Sequence, residues 1–435
     1  MLKTLRNLIP QNFFLRAWFH RLEGFLAALV YGFPARKLKC VGITGTDGKT
    51  TTTILTAHLL SQKYKVGMAS SVYFQIGDER WKNKTHKTTL GRFGLQKLLR
   101  QMVKAGCEYA VLEASSIALH QGRLTGVPFQ VAAITNLAKE HLAYHGTMEN
   151  LKKDKGRLFQ KLKKNGTAVL NKDDEYFEYF ETRSSNLETR NILYYTLENK
   201  RGSLFADNIE ESLGGTSFEI FCGEQSLKVQ TKLLGHFNVY NALAATAIAL
   251  SQGLSFFEIK AGLESFEGVP GRMERVDTGQ DFHFFIDFAL TPQAFKALHF
   301  SLKKLCKGKL IAIFGACGGG RDTWRRKVNG KLAAELCDLT ILTDDEPYND
   351  NPEEIIADIK EGLHEAGAKE GEDFVIIRDR REAIEHAVKN AEAGDVITLT
   401  GLGDFEVRMM NEGEIPWSDR HEARQAVALR MPNVK

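Results

Sequence analysis

The chain has 435 residues, 43% of them hydrophobic and 26% charged, which is too long for one compact core and predicts two or three domains of ordinary globular composition. Its formal net charge of +4 is small and evenly spread along the chain, which argues against a nucleic-acid partner. The six cysteines include no CxxC pair, which is typical of reduced thiols in a cytoplasmic protein rather than of a disulfide framework or a zinc site.

Residues 1–37 predict an N-terminal amphipathic helical segment. Lys3 and Arg6 precede a stretch rich in Phe, Leu and Trp, as in a signal peptide, but Arg16 and Glu23 interrupt that stretch. The clean apolar run is too short to span a bilayer. We favour a helix that packs on the protein body, and a helix that rests on a membrane surface is the alternative interpretation.

Residues 38–265 predict a central domain with a mostly parallel sheet. Short apolar segments at 39–44, 109–112, 131–135 and 166–170 predict strands, and 50–62 predicts a helix. Strands of this kind, separated by helix-length segments, are typical of a parallel sheet covered on both faces. From about residue 200 the alternating pattern predicts antiparallel strands, and an Ala-rich helix follows over 238–252.

Residues 266–435 predict a second domain of α/β type. The Gly- and Pro-punctuated sequence GVPGR marks its beginning. Its predicted strands are 284–288, 309–314, 339–343, 374–377 and 395–400, with helices such as 352–366 between them. We therefore expect a Rossmann-like C-terminal domain.

The sequence GITGTDGKTTTT, residues 42–53, follows a strand and opens a helix. Backbone N–H groups at a helix N-terminus favour anions, so this context predicts a phosphate loop. Lys49 would lie along the β- and γ-phosphates of ATP, and the Thr50 hydroxyl would reach Mg²⁺. The GxxxxGK pattern fails at its first glycine, where Ile43 stands, and an ordinary Gly-rich turn capping a helix is the alternative. The predicted ATP-binding loop residues are Gly45, Thr46, Asp47, Gly48, Lys49, Thr50 and Thr51.

TGTDGKTT is the loop form of the Mur ligases and the folylpolyglutamate synthases, and further motifs follow in order across residues 38–425. The chain therefore resembles the Mur ligase family, most of all the enzymes that add the third peptide residue to UDP-N-acetylmuramoyl-L-alanyl-D-glutamate. The resemblance implies a P-loop-type central domain and an ATP-dependent ligase of peptidoglycan precursor synthesis. Its implied ligands are ATP, Mg²⁺, a UDP-linked muropeptide and a diamino acid. The muropeptide and the diamino acid are joined through an acyl-phosphate.

LEASSIALHQGR, residues 112–123, resembles that subfamily's ExSSxxLxxxR segment. Glu113 closes a strand, where a carboxylate can hold Mg²⁺ beside the phosphates. The residues that the resemblance assigns to the acyl substrate are Thr88, Thr89, Ser115, Gln121 and Arg123. The alternative interpretation is a strand end followed by a helix cap and a surface arginine.

TNLAKEHLAYHGTMENLKKDK, residues 135–155, resembles the family pattern TNxxxDHLDYHGTMExYxxxK, with Glu140 and Ala143 in place of two aspartates. By resemblance, His141 is a second metal ligand and Lys155 carries a carbamate. An ammonium repels Mg²⁺, whereas a carbamate is an anionic oxygen ligand suited to a hard cation. From the residues alone, a solvated helix lysine is the alternative, because two further lysines precede it. The implied catalytic residues are Lys49, Glu113, His141 and Lys155.

Three later motifs supply the rest of the nucleotide site by resemblance. Asn238, in GHFNVYNALAA, is implied at the adenine, although helix capping by Asn is the alternative. Arg272, in GVPGRME, is implied at the γ-phosphate. Asp287, in IDFALTPQA, is implied near the ribose, with Phe288 and Leu290 replacing the usual Tyr and His.

The resemblance assigns the incoming amino acid to Arg321, Asp345, Glu346, Tyr348 and Glu406. Arg321 would bind its carboxylate. Tyr348 stands at the arginine of the DNPR motif of diaminopimelate-adding enzymes, and Glu346 stands at its asparagine. Glu346 would attract a distal ammonium, so we expect L-lysine or L-ornithine as the acceptor, with meso-diaminopimelate as the runner-up.

Only 37 residues precede the first strand, where the family has an N-terminal domain that binds the uridine nucleotide. Either the uridine is held differently or the acyl substrate is not UDP-linked. The second interpretation is therefore another amide ligase of the Mur or folylpolyglutamate type, acting on a carboxylate without UDP. The third is a nucleotide-sensing protein without enzymatic activity. A phosphate-release assay with candidate acceptors separates the three.

Overall fold

The computed structural model describes residues 14–185, 191–198 and 204–430. The chain divides into two compact units, with Phe266 in the first and Glu267 in the second. Short pieces of the second unit, 211–215 and 232–236, come from connections within the first part of the chain. Lys3 and Arg6 of the predicted N-terminal segment lie outside the described residues, and the three-region division proposed from the sequence stays a prediction.

The first unit is built on an eleven-stranded sheet. Its strands are β1 (Lys39–Thr44), β2 (Val66–Ala69), β3 (Tyr73–Ile76), β4 (Glu79–Lys82), β5 (Tyr109–Glu113), β6 (Phe129–Ile134), β7 (Leu162–Asn171), β8 (Asn191–Thr196), β9 (Leu204–Ser212), β10 (Gly215–Cys222) and β11 (Gln225–Thr231). Their order in the sheet is β11-β10-β9-β8-β7-β6-β1-β5-β2-β3-β4. The helices are α1 (Phe14–Val30), α2 (Lys49–Leu60), α3 (Arg92–Lys104), α4 (Ser116–His120), α5 (Leu142–His145), α6 (Met148–Gly156), α7 (Phe177–Ser185), α8 (His236–Ser251) and α9 (Phe256–Glu264).

The middle of this sheet brings three strand ends together. β1 lies between β5 and β6 and is parallel to both, with Ile43 opposite Glu113 and Thr44 opposite Ile134. In a parallel sheet, ligands bind beyond the carboxyl ends of such neighbouring strands. The loops after β1, β5 and β6 are therefore placed to build one site.

The second unit has a six-stranded sheet and a separate hairpin. Its strands are β12 (Glu274–Val276), β13 (His283–Asp287), β14 (Leu310–Phe314), β15 (Leu339–Leu342), β16 (Phe374–Ile376) and β17 (Val396–Thr400), in the order β12-β13-β17-β14-β15-β16, and the hairpin is β18 (Val407–Met410) with β19 (Gly413–Pro416). Its helices are α10 (Pro292–Leu305), α11 (Trp324–Leu336), α12 (Pro352–Glu365), α13 (Arg380–Asn390) and α14 (Asp419–Arg430). Only β12 pairs antiparallel in the larger sheet.

The central strands of both mostly parallel sheets are buried on both faces. β5, β14 and β17 are buried along their whole length, because helices cover both faces of each sheet. In the second unit the two faces carry separate apolar cores, one around Phe284 and Ile384 and one around Phe314 and Ile359. The predicted α/β class, with a mostly parallel central sheet and a Rossmann-like second sheet, is confirmed.

Helix α1 packs on the body of the first unit through one face. The Arg92 Nε donates to the His20 carbonyl at 3.0 Å, and the Arg92 guanidinium pairs with Glu23 at 3.0 Å. A Cβ at Gly24 would approach Thr125 within 2.8 Å, so the helix lies close against that loop. Within the described part of this segment, α1 is packed on the body of the first unit, as the favoured interpretation predicts.

Two further expectations concern membranes and thiols. Within the described ranges, no helix combines the length and the apolar character that crossing a bilayer requires. All six cysteines are free, as their spacing predicts.

Candidate active site

The loop between β1 and α2 has a backbone that only glycine fits at two positions. Gly45 has φ +148° and Gly48 has φ +78°. A Cβ at Gly45 would meet the Thr135 hydroxyl at 1.8 Å, and one at Gly48 would meet the Asn241 amide oxygen at 2.3 Å. The loop is therefore wrapped tightly against the end of β6 and against α8.

The side chain of Asn136, directly after β6, holds this loop in place by hydrogen bonds to its backbone. Its Oδ1 accepts from the backbone N–H groups of Thr46 at 3.2 Å and of Asp47 at 2.9 Å. The Thr46 hydroxyl donates to the Ala138 carbonyl at 3.1 Å and accepts from the Ala138 N–H at 2.9 Å. These bonds fix the loop that the sequence predicts to bind phosphate.

Helix α2 presents its N-terminus at this loop. Gly48 is the N-cap residue and makes no side-chain cap, so the first N–H groups of the helix have no capping side chain to bond. The Lys49 ammonium folds back over the loop and donates to the Thr46 carbonyl. Unpaired N–H groups, the helix dipole and a lysine together favour a polyphosphate.

Glu113, at the end of β5, is buried beside the start of α2. It accepts from the Thr50 hydroxyl at 2.9 Å and from the Ser71 N–H at 2.7 Å, and it also bonds the Ser71 hydroxyl at 3.0 Å. A threonine hydroxyl and a carboxylate at this spacing are oxygen ligands that suit Mg²⁺. Ser71 was not foreseen, because it follows a short strand and belongs to no recognisable motif.

Lys155 is fully buried, so the interpretation as a solvated helix lysine is wrong. Its ammonium donates to the Gly45 carbonyl and to Glu140 Oε1, the latter at 2.7 Å. Burial lowers the Lys155 pKa, and Glu140 opposes that shift. Burial by itself would raise the Glu140 pKa, but the charges of Lys155, Lys49 and His141 outweigh it and lower that pKa to about 2.

His141 lies beside the same pair, at the point where α5 begins. Its backbone is left-handed, with φ +50°. The Nε2 atom is 3.8 Å from Glu140 Oε2, and the side chain is partly exposed. The predicted metal ligands His141 and Lys155 are thus both in contact with Glu140, which the sequence showed only as a replacement for aspartate.

Two histidines and an aspartate support α6 just before Lys155, a feature that was not foreseen. Asp154 Oδ2 is hydrogen-bonded to the Nδ1 atoms of His120 and His145, both at 2.9 Å. The other ring nitrogen of His145 bonds the Ser116 hydroxyl at 3.0 Å. Burial would raise the Asp154 pKa, but the bonds from both histidines lower it strongly. This network connects α4, α5 and α6 and fixes the backbone that carries Lys155.

Four of the residues predicted to contact the acyl substrate form a connected set at the end of β5, which brings Thr89 together with Ser115, Gln121 and Arg123. The Thr89 hydroxyl donates to the Glu113 carbonyl at 2.8 Å and accepts from the Ser115 N–H at 3.1 Å. The Arg123 guanidinium donates to the Thr89 carbonyl at 2.9 Å and to Gln121 Oε1 at 3.0 Å. Thr88 precedes this set in the chain.

The alternative interpretation of this segment is correct in one detail. The Ser115 hydroxyl caps α4 by accepting from the Ala118 N–H at 3.3 Å. Arg123, in contrast, is no isolated surface arginine, because its guanidinium is bonded into the loop that carries Thr89.

Asn238 lies inside the first turn of α8 and not at its cap position, so the capping interpretation is wrong. Its side-chain oxygen accepts from the Asn241 amide at 2.9 Å. Asn241 Oδ1 in turn accepts from the Thr52 hydroxyl at 3.2 Å. The predicted adenine residue is therefore linked to the phosphate-loop helix, and Thr51 lies buried on that same helix.

The second unit holds the other predicted nucleotide residues in one place. The Arg272 guanidinium lies 4.4 Å from the centre of the Phe288 ring and donates to the Gly271 carbonyl at 2.8 Å. Asp287 accepts from the Met273 N–H at 2.6 Å. Burial raises the Asp287 pKa to about 6, although Arg272 opposes the shift. Phe288, which replaces the usual tyrosine, thus supports the arginine through its ring face.

Two buried carboxylates mark the predicted amino-acid site. Asp345 and Glu346 are both 2% exposed. The Asp345 carbonyl accepts from Arg408 Nε at 3.1 Å, and Glu346 Oε1 accepts from the Met409 N–H at 3.2 Å. Burial and the neighbouring Asp345 charge raise the Glu346 pKa to about 7. Arg408 was not foreseen, because β18 and β19 gave no clear pattern.

Tyr348 and Arg321 are hydrogen-bonded through their side chains. Tyr348 has a left-handed backbone, φ +54°, and its ring lies so close to Gly319 that a Cβ there would be 2.8 Å away. Glu406, the remaining predicted residue, accepts from the Trp417 N–H through its backbone carbonyl at 2.9 Å.

Two further arginines follow Arg321 on the same loop and helix. Arg326 is held by Asp350 at 3.3 Å and by Asp358 at 2.9 Å. Arg325 is different, because its Nη2 atom is buried with no hydrogen-bond partner among the described residues. A buried guanidinium nitrogen of this kind is suited to an anionic ligand.

Comparison with known proteins agrees with this division of the chain. A model described as the Mur ligase middle domain matches residues 43–249, and one described as the Mur ligase, glutamate ligase domain matches residues 271–403. The two matches cover the phosphate-loop network and the Arg272 and Glu346 regions respectively.

Individual relatives match over almost the whole chain. The UDP-N-acetylmuramyl-tripeptide synthetase of Roseiflexus sp. (strain RS-1) is 37% identical over 93% of this chain and 81% of its own length. The UDP-N-acetylmuramoyl-L-alanyl-D-glutamate--2,6-diaminopimelate ligase of Geobacillus kaustophilus (strain HTA426) is 36% identical over 94% and 83%. A solved structure of a 2,6-diaminopimelate ligase of the latter name is 34% identical, with a TM-score of 0.64 over 90% of this chain and 79% of that one. The sequence resemblance is thereby confirmed, and the chain belongs to the Mur ligase family.

Proposed function

We propose that this protein is an ATP-dependent ligase of peptidoglycan precursor synthesis that adds a diamino acid to UDP-N-acetylmuramoyl-L-alanyl-D-glutamate. The observation that carries the proposal is the connected network of phosphate loop, Glu113 and Lys155. It occurs in a chain that is 37% identical to a tripeptide synthetase over 93% of its length. The predicted acyl-substrate residues join this network, because the Thr89 hydroxyl donates to the Glu113 carbonyl and Arg123 donates to the Thr89 carbonyl.

The residues of the first unit fit a nucleoside triphosphate and a divalent cation. The two loop glycines let the loop wrap against Thr135 and Asn241, where any Cβ would clash, and the start of α2 offers N–H groups to phosphate oxygens. Thr50 and Glu113 would hold Mg²⁺, with His141 and a carbamylated Lys155 as ligands of a second ion. When bound, Mg²⁺ neutralises charge on the transferring phosphoryl group. Asn238, Arg272 and Asp287 are proposed for adenine, γ-phosphate and ribose.

The reaction follows from the chemistry of the two partners. A carboxylate and an ammonium do not condense in water, so a carboxylate oxygen first attacks the γ-phosphorus of ATP and ADP leaves. The amine, which has lost one proton to solvent, then attacks the acyl carbon of the acyl-phosphate. Inorganic phosphate leaves with both electrons of the broken C–O bond and takes up the second proton that the nitrogen loses as the amide forms. Both steps build negative charge on oxygens, which Lys49 and Arg272 stabilise electrostatically. No protein side chain forms a covalent bond to the substrate.

The proposed carbamate on Lys155 is supported by the surroundings of the side chain. The ammonium is buried and, among the described residues, donates hydrogen bonds to the Gly45 carbonyl and to Glu140. A lysine buried in this way does not serve as a solvated surface residue. Its position five residues after Asn150 also matches the family motif. Carbamylation would convert a cation beside the Mg²⁺ site into an oxygen ligand.

The acceptor is proposed to be L-lysine or L-ornithine, with meso-diaminopimelate as the runner-up. Glu346 would attract a distal ammonium, and Tyr348 cannot form the bidentate pair that an arginine makes with a distal carboxylate. Arg321 is proposed for the α-carboxylate. Arg326 is held by two aspartates, which leaves Arg325 as the cation able to meet a second carboxylate. Competition among the three amino acids at equal concentration measures the preference, and more than tenfold in favour of diaminopimelate, about 1.4 kcal/mol, would contradict the role of Glu346.

The proposed function is tested by phosphate release from ATP with a panel of acceptors. UDP-muramoyl-L-Ala-D-Glu and each diamino acid should be required together, and the product should be the UDP-muramoyl tripeptide by mass. The matched comparison is the same muramoyl dipeptide without UDP. Turnover with that compound alone would indicate the second interpretation, a ligase for a carboxylate without UDP. ATP binding without acceptor-dependent turnover would indicate the nucleotide-sensing interpretation.

A further inference from the structure

Helix α1 has two contrasting faces. One face is buried against the body of the first unit and includes His20, Ala27 and Ala28. The opposite face carries five large apolar side chains that are 37–69% exposed: Leu22, Phe25, Leu26, Leu29 and Val30. Their spacing of three, four, seven and eight residues places them on one side of the helix. An exposed apolar face of this kind marks an interaction surface.

The apolar face continues past the end of the helix. The Phe33 ring meets the Phe25 ring edge-on, with centroids 5.6 Å apart. The Arg36 guanidinium in turn lies 4.3 Å from the centre of the Phe33 ring. The surface formed by Leu22, Phe25, Leu26, Leu29, Val30 and Phe33 is called the α1 apolar face below.

Basic residues border this face, and Glu23, the acidic residue of α1, is turned toward the body of the first unit. Arg21 is exposed at one end, and Arg36 and Lys37 are exposed at the other. Glu23 is paired with Arg92 on the packed side. The thirteen residues before α1 contain two more basic residues, several more apolar ones and no acidic one.

We propose that the α1 apolar face rests on the surface of a bilayer that contains anionic lipids. An apolar face bordered by Arg and Lys is the pattern of a helix that lies in the membrane interface, where the basic groups meet lipid phosphates. The helix of 17 residues is about 25 Å long and lies in the plane of the surface, because its other face is occupied by the protein body.

A second copy of the chain fits this face less well. A twofold contact would place the same patch on both sides of the interface, so the basic borders of the two copies would face one another. An anionic surface instead neutralises them. The proposal concerns a surface remote in sequence from the catalytic motifs, and it does not depend on which acceptor the enzyme uses.

The test is co-sedimentation of the full chain with vesicles, either of phosphatidylcholine alone or of phosphatidylcholine mixed with an equal amount of phosphatidylglycerol. We expect binding to the mixed vesicles, weakened by high salt. The double variant Phe25→Ser, Leu29→Ser should lower the partition coefficient about tenfold or more, because two exposed apolar side chains no longer enter the bilayer. The matched control is Phe257→Ser, Leu429→Ser, which changes the same residue types at positions 83% and 73% exposed on α9 and α14. That control should bind as the wild type does, within about twofold.

A charge variant distinguishes a loss of membrane binding from a loss of folding. Arg21→Gln, Arg36→Gln leaves the packed face of α1 unchanged and should weaken binding to the mixed vesicles about tenfold, with little effect on neutral ones. Thermal melts of all variants report folding. If the wild type binds neither vesicle, or if the Phe25, Leu29 variant binds as well as its control, the proposal is wrong. A dimer in sedimentation equilibrium that this variant alone dissociates, without vesicle binding, would assign the face to a second copy and overturn the proposal.

Discussion

The contact between Lys155 and Glu140 predicts that the proposed carbamylation of Lys155 depends on a divalent cation. In the unmodified protein the ammonium and the carboxylate attract one another, at 2.7 Å between Nζ and Oε1. A carbamate reverses the charge on Lys155. With charge centres about 4 Å apart and an effective dielectric constant of about 20, an attraction of about 4 kcal/mol becomes a repulsion of about 4 kcal/mol.

That repulsion predicts a large effect of Mg²⁺ on the modification. The change from about 4 kcal/mol of attraction to about 4 kcal/mol of repulsion is about 8 kcal/mol in all, which corresponds to roughly a 10⁵- to 10⁶-fold change in the carbamylation equilibrium. We therefore expect little carbamate without Mg²⁺ and nearly complete carbamylation with Mg²⁺ and bicarbonate. In Glu140→Gln the repulsion is removed, so the carbamate should form without Mg²⁺ as well.

The assay is ¹³C NMR of the protein in ¹³C-bicarbonate, before and after Mg²⁺ is removed with a chelator. Lys155→Met identifies the signal, because it removes only the amine that reacts. Wild-type carbamate that persists at the same level after chelation would refute the electrostatic reasoning. An unmodified Lys155 in the presence of Mg²⁺ and bicarbonate would refute the carbamate itself.

Three further predictions concern the loop and the acceptor. Lys49→Ala should abolish acceptor-dependent phosphate release while the melting temperature stays nearly unchanged, since the ammonium neutralises phosphate charge and does not pack in the core. Retention of more than a tenth of the activity would contradict the phosphate-loop assignment. Gly48→Ala should destabilise the protein by at least about 1–2 kcal/mol and weaken ATP binding, because φ is +78° and the new methyl would meet Asn241, whereas Gly91→Ala, where nothing lies within 4 Å, should be tolerated in chemical denaturation. The KM for L-lysine should fall as pH rises from about 6 to about 8. The Glu346 carboxyl, with a pKa of about 7, is neutral at the lower pH and charged at the higher one, while the substrate ammonium stays charged throughout. A pH-independent KM in the wild type, or a profile that Glu346→Gln leaves unchanged, would argue against this role.

The local pattern of apolar residues was sufficient to predict the strands that are buried on both faces of a sheet. β1, β5 and β14 are continuous apolar runs, and their positions follow from the sequence to within a residue or two. The hairpin of β3 and β4 was missed because β4, with the sequence ERWK, is mostly exposed and has no apolar alternation. β18 and the mostly exposed β19 were also missed, because two such short strands give no clear pattern, and Arg408 was missed with them.

The sequence by itself identified Lys49 and Glu113 as candidates through a phosphate loop and a carboxylate at a strand end, and the family resemblance of its motifs supplied His141 and Lys155. Only the tertiary structure decided their environments. Burial of Lys155 and its pairing with Glu140 depend on where β1, β6 and α6 meet, which no local spacing encodes. The same holds for the two faces of α1, since the sequence predicts an amphipathic helix but only packing against Arg92 decides which face remains exposed. Residues distant in the chain set these environments through long-range contacts, and a pattern read along the chain carries no information about such contacts.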